Sequence, residues 1–94
     1  MLPEVNVLFE ALGGTKTPKD SFYGTLPADL TREKAMQIVK DLGCEDQMNE
    51  ELTWYNTDGY RDDENGTCLY VLADWCGEEV EVVVSLDDCM FDFV

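Results

Sequence analysis

The hydrophobic pattern of the chain changes period once. Up to about residue 43 the apolar positions recur at helical spacing, and from about residue 51 they alternate. Val5, Leu8, Phe9 and Leu12 fall at i, i+3, i+4 and i+7, one stripe of a short helix over residues 3–12. Pro3 suits its first position, where a missing N–H costs nothing. Gly13 and Gly14 stop it, because glycine accepts the left-handed cap. Ala35, Ile38, Val39 and Leu42 make a second stripe, on a helix that Thr31 caps and Gly43 ends. Leu30, just before that cap, is placed to staple onto Ala35. Glu33, Lys34, Gln37 and Lys40 give this helix a wet side of mixed charge and a scaffold role. The intervening "GTKTPKDSFYGTLP" (14–27) reads as a connecting loop, long for a compact domain. Phe22 and Tyr23 tuck beneath it or, with Lys16 and Lys19, make it a binding loop.

The second half reads as strands. "ELTWYN" (51–56) is rich in residues that favour strands. "TDGYRDDENG" (57–66) carries two turn signals, Asp58-Gly59 and Asn65-Gly66. "TCLYVLADW" (67–75) puts Leu69, Val71, Ala73 and Trp75 on one face. After a reversal at Cys76-Gly77, "EEVEVVVSL" (78–86) puts Val80, Val82, Val84 and Leu86 on one face. Glu79, Glu81, Val83 and Ser85 alternate with them. "CMFDFV" (89–94) supplies a last strand. The expected fold is α+β, with two N-terminal helices packed on one face of a three- to four-stranded antiparallel sheet. At 94 residues the chain is expected to form a single compact domain, 1–94, with a neutral helical part (1–43) and a strongly acidic β part (44–94).

Charge is what singles out this chain. It carries 21 acids against 6 bases, a net charge of −15. Residues 1–40 hold five acids and five bases and are neutral, so the whole excess lies in residues 41–94, where Arg61 is the one base. A solubility device would not need so large or so uneven a charge. Such a surface repels nucleic acid and anionic membranes and attracts cations or basic protein surfaces. The segment "MLPEVNVLFEALGG" lacks a basic n-region, and no apolar run approaches the roughly 20 residues of a membrane span. A cytoplasmic location is expected, the host cytoplasm for a phage-encoded protein.

Most site chemistry is disfavoured. With no histidine in the chain, Ser21, Ser85 and the four cysteines lack the usual general base, and an enzyme is not expected. Cys44, Cys68, Cys76 and Cys89 show no CxxC pair, so neither zinc nor another cofactor is expected. They read as reduced thiols, with a Cys68–Cys89 or Cys76–Cys89 bridge as the alternative. "NTDGYRDDENG" fails the spacing of a calcium loop in every register.

The acids themselves remain. Glu79 and Glu81 form a ladder with steps of about 6.7 Å, twice the strand rise. Glu78 precedes them, and Asp87 and Asp88 continue the row. Asp58, Asp62, Asp63 and Glu64 cluster in the preceding loop, with Tyr60 among them as an aromatic anchor. Duplex DNA carries one charge per about 1.7 Å of axis, so fifteen charges correspond to roughly 25 Å of duplex. In composition and size alone, the chain is similar to the small acidic nucleic-acid mimics of phages and mobile elements. No family motif accompanies that likeness. The expected function is a small acidic inhibitor that blocks the nucleic-acid-binding groove of a basic host defence protein, as anti-CRISPR and anti-restriction proteins do. An immunity protein or antitoxin covering a basic nuclease is the first alternative. The second is an assembly module that forms a homodimer through a C-terminal edge strand.

Overall fold

A computed structural model describes residues 2–16, 23–44, 54–55 and 67–94. Helix α1 is Val5–Ala11, and all four residues of its expected stripe, Val5, Leu8, Phe9 and Leu12, are buried. Its start differs from the expectation. Glu4 is the N-cap, so Pro3 lies outside the helix, where its carbonyl accepts the Asp74 N–H at 2.8 Å. Pro3 serves a strand contact rather than the first helical turn. Gly13 ends α1 with φ +82°, the left-handed cap that glycine adopts without strain.

Helix α2 is Arg32–Asp41. Thr31 is extended at the N-cap and its hydroxyl accepts the Lys34 N–H at 3.2 Å. Ala35 and Val39 are buried, while Ile38 and Leu42 are half-buried against the core. Replacing Thr31 with alanine should lower the unfolding free energy by about 1 kcal/mol, and aspartate should preserve it. Urea unfolding of the two variants checks this.

Four of the strands are those the alternation predicts: β3 (Trp54–Tyr55), β4 (Cys68–Trp75), β5 (Glu78–Ser85) and β6 (Met90–Phe93). Two further short strands come from the stretch read as a loop, β1 (Thr15–Lys16) and β2 (Tyr23–Thr25). They are too short to show a period, and a small glycine lies at the centre of β2. The sheet therefore has six antiparallel strands among the described residues, in the order β1-β2-β6-β5-β4-β3, rather than three or four. Strand β6 is an interior strand, bonded to β5 on one side and to β2 on the other. Residues 90–93 thus offer no free edge for a homodimer, which corrects the edge-strand expectation.

One face of the sheet is apolar and closes the core. Leu69, Val71 and Ala73 of β4, Val82 and Val84 of β5, Phe91 of β6 and Trp54 of β3 are all buried. They join the buried residues of α1 and α2 in a single cluster. Phe9 of α1 meets Phe91 with ring centroids 5.1 Å apart, and the Arg32 guanidinium of α2 lies 5.5 Å from the Trp54 ring centroid.

All four cysteines are free thiols, so the alternative of a Cys68–Cys89 or Cys76–Cys89 bridge does not hold. Cys76 and Cys89 lie beyond opposite ends of the eight-residue β5. Cys44 is fully buried, and desolvation pushes its thiol up to about 11 from 9.0. An acid whose folded pKa is raised binds its proton more tightly folded than unfolded. Its contribution to stability is therefore complete below the unfolded pKa and is lost as pH rises from about 9 towards 11. In a timed alkylation of the native protein, exposed Cys76 should react first and Cys44 last. Equal rates would contradict the burial of Cys44.

Candidate functional site

The chain reverses between β4 and β5 in two residues, Cys76 (φ +55°) and Gly77 (φ +87°). Positive φ at both is what a type I′ hairpin turn requires. This turn fixes the register that builds the site. Trp75 faces Glu78, Asp74 faces Glu79, Leu72 faces Glu81 and Tyr70 faces Val83. Paired residues share a face, so Asp74, Leu72 and Tyr70 lie with Glu79, Glu81 and Val83 on the face opposite the core.

Two carboxylates thus stand directly opposed at Asp74 and Glu79. Side chains so placed have Cβ atoms about 4.5–5.5 Å apart, and like charges there destabilise the pair. Glu4 extends the row, because a parallel bridge joins it to Asp74. Glu4, Asp74 and Glu79 therefore form a transverse line across the end of the sheet, with Glu81 one step further along β5. Asp92 of β6 pairs with Val83, which places a further carboxylate on the same face. Glu4, Glu79 and Glu81 are exposed, and Asp74 and Asp92 are half-buried. From Thr67 to Val94 the chain has no Lys or Arg to neutralise them.

The expected site residues divide accordingly. Glu79 and Glu81 stand together on the wet face as the alternation requires. Glu78 is exposed but belongs to the other face, since it pairs with Trp75 and alternates with Glu79. Asp87 and Asp88 are exposed but do not continue the row. They follow the far end of β5, with Val83 and Ser85 between them and Glu81. Ser85 is not a solvent-facing residue. It is buried, its hydroxyl 3.4 Å from an Asp88 carboxylate oxygen and accepting the Asp88 N–H at 3.4 Å. Its burial comes from the turn over residues 86–89 folding back on it. Asp58, Tyr60, Asp62, Asp63 and Glu64 lie outside the described residues.

Three carboxylates and the apolar neighbours were absent from the expected site. Asp74 and Leu72 follow from the two-residue reversal at Cys76-Gly77, from which the partners of Glu79 and Glu81 can be counted. Glu4 has no such signal, since it comes from the neutral half of the chain. Asp92 depends on the register across the turn over 86–89, which no glycine or asparagine pair announces.

Beside the transverse row lies a cavity of about 250 Å³, lined by Glu4, Val5, Asn6, Asp74, Trp75 and Cys76. The Asn6 Oδ1 atom is buried without a hydrogen-bond partner. Its charged lining is entirely anionic. Among the described residues no group of three or more His, Cys, Asp or Glu side chains is arranged to hold a metal ion. No helix among them is long and apolar enough to cross a membrane. Comparison with protein-family models, with curated proteins and with solved structures finds no match for the chain.

Proposed function

We propose that the protein is a small acidic inhibitor that occupies the nucleic-acid-binding surface of a basic partner protein. The observation that carries this reading is the line of Glu4, Asp74 and Glu79 with Glu81 beside it, the last three in a segment, Thr67 to Val94, without a base. Opposed like charges cost the fold stability, so their placement argues for a partner that neutralises them. The rigid β4–β5 ladder holds them in place, which keeps the entropy lost on binding small. The molecule measures 33 × 28 × 22 Å, and roughly 25 Å of duplex carries fifteen phosphate charges. In net charge and length the whole molecule is comparable to a short piece of duplex. Host defence proteins that grip nucleic acid, such as CRISPR effectors and restriction enzymes, have grooves of the required charge. The inhibitor would then be phage or mobile-element encoded.

Capture on the immobilised protein from a candidate host lysate tests the reading. The retained protein should be basic, should bind nucleic acid and should elute as salt rises through the physiological range. Retention of neutral or acidic proteins, independent of salt, would contradict it.

A further inference from the structure

The acidic face is not only acidic. Leu72 of β4, Val83 of β5 and Met90 of β6 are half-buried on it, yet none of these three packs against the core cluster. Val94 follows on the same face, 69% exposed, with its N–H donating to the Glu81 carbonyl at 2.9 Å. Apolar and acidic positions therefore interleave. Leu72 faces Glu81, Val83 faces Asp92, and Asp74 and Glu79 close the end. A surface selected only to imitate phosphates would gain nothing from the apolar members.

We infer that the occupant of this face is a basic amphipathic α-helix of the partner. The inference rests on the reading above and specifies the chemistry of the contact. Strands β5 and β6 are bonded to neighbours on both sides, and β4 carries β3 at Cys68 and Leu69 and Glu4 at Asp74 on its outer side, so these positions are presented on a face of the sheet. Layers that cover a sheet face are helices or other sheets. The apolar positions run from β4 to β6, about 10 Å across at 4.7–4.9 Å per strand. A helix with its side chains is about 10–12 Å wide. Its apolar stripe lies along Leu72, Val83 and Met90. Arginines or lysines flanking that stripe reach Asp74, Glu79 and Glu81 at one end and Asp92 at the other. The acids set the rate of encounter, and the apolar contacts hold the complex.

Two synthetic helical peptides of equal charge test this on the full chain. One carries arginine flanks and a leucine stripe, and in the other glutamine replaces each leucine. The leucine peptide should bind at least about tenfold more tightly and should remain bound at about 0.5 M salt, where the glutamine peptide dissociates. Amide chemical-shift changes should map to β4 and β5. Leu72→Ser and Val83→Ser, with folding confirmed by circular dichroism, should abolish the preference and leave glutamine-peptide binding unchanged. Equal binding of both peptides, or a preference that survives Leu72→Ser, overturns the helix inference and leaves the charge-based reading standing. Failure of both peptides to bind at low salt overturns both.

Discussion

Replacing Gly24 with alanine should destabilise the protein by about 3 kcal/mol, a fall in Tm of roughly 12–24 °C for a domain of this size. Gly24 sits in β2 opposite Phe91, and the Phe9 ring lies directly on it. A methyl group built there overlaps Cε1 and Cζ of Phe9. The ring has nowhere to go. It is 1% exposed, it packs at a tilt against Phe91, and a methyl on Gly14 meets the same ring. The conflict is one of space, not of backbone conformation. Phe9→Leu should therefore relieve it. In a double-mutant cycle, alanine at 24 should cost at least about 1 kcal/mol less when residue 9 is leucine. An unfolding free energy for Gly24→Ala within about 0.5 kcal/mol of wild type would show that Phe9 does not occupy this place.

The second large effect is on association. Reversing Asp74, Glu79 and Glu81 together to lysine should slow binding to the captured partner by an order of magnitude or more at low salt. The three residues are chosen because the β4–β5 register clusters them. The same change removes the opposed pair at Asp74 and Glu79 only by replacing it with another like-charged pair. Stability should therefore change little, and the rate change will report on binding. The matched comparison is Glu79 and Glu81 reversed alone against Asp87 and Asp88 at the other end of β5, two charges in each case, where the fall in rate should be smaller for Asp87 and Asp88. Equal effects from both ends would mean that overall charge steers association and that the row has no special part. Stopped-flow rates at several salt concentrations separate the two outcomes.

The pattern of the chain revealed the elements that are long enough to show a period. Both helices, the Thr31 cap and the two glycine stops could be read, because each depends on residues within one turn of one another. The alternation in β4 and β5 likewise assigned Val82, Val84, Leu69 and Val71 to the core. What could not be read were features set by distant neighbours. Strands β1 and β2 are held by pairing with each other and with β6, not by their own residues. Ser85 has the parity of a solvent-facing residue and is buried all the same. The candidate site shows the same division. Glu79 and Glu81 followed from parity, whereas Glu4 reached the face through a bridge of one residue. A ladder along one strand has accordingly become a row across the end of a sheet.

The central claim is that this face takes the place of nucleic acid. Competition is its most direct test. The captured partner is held at fixed concentration, duplex DNA is titrated in, and the apparent affinity of the protein is measured at constant ionic strength. If the two share one surface, the apparent Kd rises in proportion to the DNA concentration and no ternary complex forms. The Asp74, Glu79 and Glu81 reversal should then fail to compete. A ternary complex, or an affinity unchanged at saturating DNA, would contradict the account.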